Sequence, residues 1–384
     1  MLIRAAPQFI DDLLQQAVVE GASDLHFEPA AIGIRIRQRL DGILHELTYL
    51  SCDSAAAIIS RLKIMANLNI AERRLPQDGR FSFKSCERLI DCRVSTCPML
   101  FGEKVVVRIL DVCQMQRDIN NLGFEPKQLA LVKQVLNRPQ GMILATGPTG
   151  SGKTVSLYAL LSSINQADKN ICSVEDPVEI PLSGLNQVNI NPKANLDFAT
   201  VLRAFLRQDP DVIMVGEMRD LQTAEIAMKA SQTGHLVLST LHTKNAVQSL
   251  IRLRQIGIAS YTLAHCVSLI IAQRLVRRLC THCKKSVILP KEICHEQGCG
   301  SKVYKAQGCE KCYLGYKGRL ALYEVLPITN QIQDAILLNC DFQHLYNLQC
   351  QLGFESLRAM GLKKVAIGET SLDEINRVTE GSAL

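Results

Sequence analysis

No apolar run in this sequence approaches the length that spans a bilayer, which excludes a helical membrane span. The N-terminal stretch lacks the apolar core of an export signal, because Asp11 and Asp12 stand where it would lie. Without export, the 15 cysteines do not form a secreted disulfide framework. A reducing cytoplasm is expected, with most thiols free and a few holding metal. Internal repeats and low-complexity tracts are missing too. Tryptophan is absent, and no feature of the sequence accounts for it. Acidic residues are missing from residues 226–291, where ten Lys or Arg occur. Such a stretch can meet phosphates, anionic lipid or nucleic acid, or it can be a solvated face paired with acids elsewhere in the fold.

What is present is globular. Hydrophobic residues make up 47% of the 384 positions and charged residues 21%. That balance argues against disorder, and the length suggests two or three domains. The net charge of +6 is too mild to imply a partner.

Residues 9–20 predict an amphipathic helix that Gly21 stops. A short strand is expected at 25–27. Residues 32–40 alternate, with Ile32, Ile34, Ile36 and Leu40 on one face and Arg35, Arg37 and Arg39 on the other. Asp41-Gly42 then turns the chain into a strand at 43–47. With a helix at 54–65 and a strand at 103–111, residues 1–113 read as a small α+β domain. The polar stretch 114–124 is the expected linker. Beyond it, short apolar runs at 142–145, 171–174, 212–215 and 236–239 alternate with helical patterns. They predict a mostly parallel sheet covered on both faces. Residues 327–384 read as mostly helical.

One motif carries chemistry outright. Gly147-Pro148-Thr149-Gly150-Ser151-Gly152-Lys153-Thr154 satisfies G-x-x-x-x-G-K-[ST] between an apolar strand and a helix. Its glycines let backbone N–H groups close around a phosphate, and the helix N-terminus adds positive potential. Lys153 is expected to reach the β- and γ-phosphates of ATP, and Thr154 to ligate magnesium. Acids at strand ends complete such a site. Glu217 follows the 212–215 run, and Glu175-Asp176 follows the 171–174 run. Either can organise the metal's water or polarise the attacking water. His235 begins a further strand, and His242 follows its end within Thr240-Leu241-His242-Thr243. Thr240, His242 and Thr243 are expected to face the ligand crevice.

Cys280-Thr281-His282-Cys283 and Cys309-Glu310-Lys311-Cys312 are two C-x-x-C knuckles with 25 residues between them. The pattern suits a closed, structural zinc site of four thiolates, Cys280, Cys283, Cys309 and Cys312. Cys294, His295 and Cys299 lie between the knuckles as alternative ligands.

Taken in order, these stretches resemble a known family. Ala22-Ser23-Asp24-Leu25-His26-Phe27-Glu28-Pro29, Ile36-Arg37-Gln38-Arg39-Leu40-Asp41-Gly42 and Ile70-Ala71-Glu72-Arg73-Arg74-Leu75-Pro76-Gln77-Asp78-Gly79-Arg80 precede the phosphate loop. Val174-Glu175-Asp176-Pro177-Val178-Glu179, Leu206-Arg207-Gln208-Asp209-Pro210-Asp211, Gly216-Glu217-Met218-Arg219-Asp220, Thr233-Gly234-His235 and the His242 segment follow it. The chain resembles, nearly end to end, the ATPases that power type II secretion and type IV pilus assembly. The resemblance implies a RecA-like P-loop ATPase core at 125–384, preceded by a PAS-like arm, with a zinc lobe at 280–312. It implies a homo-hexamer that hydrolyses ATP and works on an inner-membrane platform protein from the cytoplasmic side. Its place at the membrane is then peripheral, through partners. Glu175 falls in the family's acidic box, Glu217 in its Walker B box, and His235 and His242 in its histidine box. Arg37 and Arg39 match positions that reach the nucleotide as arginine fingers. The tetracysteine element is similar to that of the assembly and export branch rather than the retraction motors. Nucleic acid is not expected as a partner. The family's usual N-terminal docking domain is not expected here. Lys244-Asn245 and a short segment after Cys312 depart from the family pattern.

Overall fold

The computed structural model describes residues 6–85, 87–110 and 118–379. Contacts divide the chain into two units, Met1–Met115 and Gln116–Leu384.

In the first unit, α1 (Ala6–Glu20) buries Ile10, Leu13, Leu14 and Ala17, one stripe at helical spacing. Gly21 ends it at φ +76°, a left-handed conformation that costs glycine little. The strands β1 (Asp24–Ala30), β2 (Gly33–Leu40) and β3 (Ile43–Ser51) lead into α2 (Cys52–Met65). The strands β4 (Gln77–Ser85), β5 (Arg88–Met99) and β6 (Gly102–Leu110) follow. They pair antiparallel in the order β3-β2-β1-β6-β5-β4. Leu25, Phe27, Ile34, Ile36, Val94, Val105 and Val107 form one apolar face of this sheet, packed with Ile58 and Leu62 of α2.

The arginine alternation on β2 holds, with one change. Ile32 lies outside the strand and is 77% exposed. Gln38 takes an inner position instead, buried with its amide donating to Glu20 at 2.6 Å. Strands β4 and β5 are not anticipated by the sequence. β4 sits at the sheet edge with alternate residues exposed, so polar side chains replace the apolar pattern that marks a buried strand. Residue 111, the end of the last strand expected here, and residues 114–117 of the expected linker lie outside the described residues.

In the second unit, a 3-10 turn (Ile119–Asn121) and α3 (Pro126–Leu136) lead into β7 (Gly141–Thr146) and α4 (Lys153–Ile164). The strands β8 (Ile171–Glu175), β9 (Leu185–Asn189), β10 (Val212–Val215) and β11 (Leu236–Leu241) follow, with α5 (Phe198–Phe205) and α6 (Leu221–Gln232) among them. Next come α7 (Ala246–Ile256), α8 (Ser260–Cys266), β12 (Val267–Leu279) and β15 (Tyr316–Pro327). The sheet order is β15-β12-β7-β11-β10-β8-β9, parallel throughout except for β15. All of β7, β8, β10 and β11 is buried, as a sheet covered on both faces requires.

Between β12 and β15 lies a lobe of β13 (Lys285–Ile288), α9 (Lys291–Gln297) and β14 (Lys302–Lys305). The chain after β15 is helical, as expected: α10 (Asn330–Leu337), α11 (Phe342–Gln351), α12 (Leu357–Ala366) and α13 (Leu372–Val378). The acid-free stretch 226–291 is partly explained here. Arg277 pairs with buried Glu374 at 2.8 Å and Arg278 with Glu369 at 3.0 Å, both acids from the C-terminal segment. Arg254 and Lys284 donate to the carbonyls of Cys340 and Gly368. Among the described residues, no helix is long and apolar enough to cross a membrane.

Candidate nucleotide site and cysteine cluster

The loop 147–152 joins β7 to α4. Its shape follows from close packing on β12. A Cβ on Gly147 would lie 2.5 Å from the carbonyl oxygen of Gln273, and one on Gly152 would lie 2.8 Å from the Gln273 amide. Both glycines have positive φ, so a side chain there meets strain as well as a clash. Ser151 is buried, and its Oγ has no hydrogen-bond partner among the described residues. A cradle free of side chains, with an orphaned hydroxyl and a helix N-terminus behind it, fits a phosphate group.

Lys153 is buried, and its Nζ donates to Gly147 O at 2.6 Å and Pro148 O at 3.2 Å. Burial and the nearby Arg274 guanidinium push its pKa down to about 8, with Glu217 opposing them. A phosphate favours the charged ammonium. Below pH 8 the lysine is already charged in the free protein. Above it, binding must take up a proton. Affinity for ADP should therefore be flat up to about pH 8 and fall toward tenfold per pH unit above it. Calorimetry in buffers of different ionisation enthalpy would measure that proton uptake.

Three strand ends lie on the loop's side of the sheet. β11 lies beside β7, β10 beyond it and β8 farther still. The acidic strand ends are thus two and three strands away from the strand that carries the phosphate loop. Thr240 donates to Gly216 O at 2.6 Å and fixes the turn before Glu217. Glu217 is paired with Arg219, and its Oε2 lies 3.5 Å from His242 Nε2. Burial and Lys153 hold the His242 pKa below its ordinary value, against Glu217. Thr243 locks the histidine turn to β7: its hydroxyl lies 2.6 Å from that of Thr146, and its amide donates to the same oxygen at 3.0 Å. Thr154 follows in the first turn of α4, half-buried.

Glu175 sits differently. It is buried, and its carboxylate accepts from Tyr158 at 2.5 Å, Ser173 at 2.7 Å and Gln187 at 3.3 Å. Asp176 beside it is exposed. His235 is a correction. It precedes β11, at the strand's amino end, whereas the phosphate loop leaves β7 at the carboxyl end. Six residues of strand put it about 20 Å from the loop. Its Nδ1 lies 3.0 Å from Ala230 O and 3.3 Å from the Thr233 hydroxyl, a bond set that closes the end of α6.

In the first unit, Arg37 donates to Glu28 at 2.8 Å, and Arg39 lies 3.7 Å from Asp24. Arg35 and Lys104 also bond Glu28, at 2.9 and 3.0 Å. Arg37, Lys104 and Arg35 together offset its burial and hold its pKa down to about 2.

The four knuckle cysteines converge. All their sulfurs lie within 4.8 Å of one another. Cys280–Cys309 is 3.9 Å, while Cys283–Cys312 and Cys309–Cys312 are 3.6 Å. A tetrahedral zinc with bonds of about 2.3 Å needs sulfurs about 3.8 Å apart, so the cluster fits one. It does not include Cys294, His295 or Cys299.

Sequence reasoning missed the floor of the site. Ser156 of α4 donates to Gln273 at 2.8 Å and lies 3.2 Å from the hydroxyl of Tyr323. Glu324 is buried, with one oxygen accepting from Ala246 N at 2.8 Å and the other from Leu357 N at 3.1 Å. The available signal was Gln273-Arg274 inside the otherwise apolar start of β12, because polar residues in a buried strand need partners.

The family model described as "Type II/IV secretion system protein" matches residues 4–377. The chain is 51% identical over 381 residues to the type IV pilus assembly ATPase PilB of Acinetobacter baylyi, covering 97% of the chain and 66% of that relative. It is 50% identical over 374 residues to the protein transport protein HofB homolog of Escherichia coli, covering 95% and 79%. The chain thus spans about two thirds of the length of the pilus-assembly relative. Among solved structures, the pilus retraction motor PilT with bound ADP is similar at TM-score 0.65 and 25% identity, with 97% of each chain covered.

Proposed function

The chain belongs to the type II/IV secretion system protein family, and on that premise we propose that it is an ATP-hydrolysing motor subunit for type IV pilus or secretion pseudopilus assembly. The observation that carries this reading is the meeting of Lys153, Glu217 and His242, from three strand ends, at a complete phosphate loop. Each group has a role. Backbone amides of 147–152 and Lys153 bind the phosphates. Magnesium, when bound, would be held by Thr154 and, through water, by Glu217, and would neutralise phosphate charge. Glu217 orients and deprotonates the attacking water, and His242, kept neutral by its surroundings, hydrogen-bonds in the same crevice. Glu175, saturated by Tyr158, Ser173 and Gln187, holds the neighbouring strand end in place.

Arg37 and Arg39 act as arginine fingers in this reading. Each already faces a carboxylate, so engaging a phosphate exchanges one anion for another. The working unit is a homo-hexamer on the cytoplasmic side of the inner membrane, bound to a platform protein. The tetracysteine cluster holds structural zinc.

The test is turnover. The purified chain should hydrolyse ATP. Glu217→Gln should lower kcat by roughly 10²-fold or more while ADP binding persists. An inactive parent chain, in hexameric form and with magnesium, would refute the motor.

A further inference from the structure

Arg274 has no role in the reading above, yet it lies between the two loops that the chemistry uses. It is buried, in β12, beside the strand that carries the phosphate loop. Its Nη1 donates to Gln273 O at 2.9 Å, the carbonyl that a Cβ on Gly147 would strike. The same Nη1 would lie 3.1 Å from that Cβ, so the guanidinium rests directly against the loop. Its Nη2 donates to Lys244 O at 2.5 Å, two residues beyond His242.

The histidine turn is therefore fastened at successive residues. Thr243 is bonded to Thr146 of β7, Lys244 to Arg274 of β12, and Ala246 to Glu324 of β15. The tie to Thr146 reaches the residue that precedes Gly147, and the one through Arg274 reaches the strand on which the loop packs. A planar fork suits that task, because one arm fixes the guanidinium on its own strand at Gln273 O while the other reaches the histidine turn at Lys244 O. A lysine at the same place keeps the charge but offers a single point. Burying a cation is costly unless its geometry is used, and here the geometry ties the turn that carries His242 to β12 at the point where the guanidinium rests against Gly147.

We propose that Arg274 is a positioning residue for nucleotide turnover, setting the spacing between the His242–Glu217 pair and the phosphate loop. The inference rests on the reading that this site hydrolyses ATP. It differs from a structural role in what it predicts: the ground-state grip on the phosphates belongs to the loop, whereas the spacing matters when the attacking water is aligned.

The test uses the full chain and three readouts: kcat, affinity for a fluorescent ADP, and rescue by free guanidinium. Arg274→Lys should bind ADP within about threefold of the parent and lose roughly 10- to 100-fold in kcat. Arg274→Ala should show the same split, and millimolar guanidinium should restore part of its kcat while leaving Arg274→Lys unchanged. Parent-level kcat in either variant would overturn the inference, as would ADP affinity falling in step with kcat. If Arg274→Ala does not fold, Arg274→Lys decides alone by the same split. An inactive parent would instead refute the hydrolysis reading, and the inference with it. An active parent beside an active Arg274→Lys refutes the inference only.

Discussion

Lys153→Ala should lower ATP turnover by roughly 10³-fold or more and abolish fibre assembly in cells that depend on this chain. The expectation follows from where the ammonium sits. It is buried at the start of α4, held by the loop's own carbonyls at 2.6 and 3.2 Å, and it needs only to exchange those oxygens for phosphate oxygens. Truncation removes a charge that lies within reach of Glu217 and His242. It also leaves Gly147 O and Pro148 O without that donor. The fold should survive, because β7 and α4 are held by a buried apolar core that does not use the lysine. Circular dichroism and melting should therefore match the parent while phosphate release is lost. Fibres assembled at the parental rate by Lys153→Ala would refute the assignment.

The second large effect is expected at the cysteines. Structural zinc in a four-thiolate site contributes on the order of 10–16 kcal/mol of apparent binding free energy. In this chain that free energy would hold residues 284–308, whose own sheet is two short strands with β13 largely exposed. Stripping the metal with a chelator, or introducing Cys280→Ser, should open the lobe to protease while the phosphate loop still binds ADP. The purified parent should carry about one zinc per chain, measured by atomic absorption. Metal-free parent protein whose lobe resists protease with and without chelator would exclude the site.

Parts of this site were legible because their chemistry is contiguous. The phosphate loop is one run of eight residues, and each knuckle is a run of four. The alternation of Arg35, Arg37 and Arg39 against Ile34 and Ile36 gave the sheet face directly. What could not be read depends on strand order. The sequence does not say that β12 lies against β7, so Gln273 and Arg274 read as part of a basic run rather than as the floor of the loop. His235 enters the site only through its likeness to the family's histidine box, while its place before β11 puts it at the opposite end of the strand from the loop. Glu175 and Glu217 both look like acids at strand ends. Only packing separates them, since Tyr158 reaches one and Arg219 the other. Strand β4 is hard to read because it is the sheet edge, where apolar patterning fades, and β5 beside it alternates buried positions with polar or exposed ones.

The cysteine cluster also bears on what sets the register of β12. β12 and β15 form a long antiparallel pair in which Leu279 faces Tyr316, so residues 280–315 are in effect the loop of a hairpin. The entropy of closing a loop grows with the logarithm of its length, and a clamp at the root makes the length beyond it nearly irrelevant. Cys280 and Cys283 leave one strand, and Cys309 and Cys312 lead into the other, so the hairpin closes at the sulfurs. Everything from 284 to 308 then hangs outside the register of the sheet. The register of β12, and with it the nucleotide floor, is then set at the sulfurs rather than by the segment beyond them, whose tie to the sheet is the packing of Val303 into the shared core.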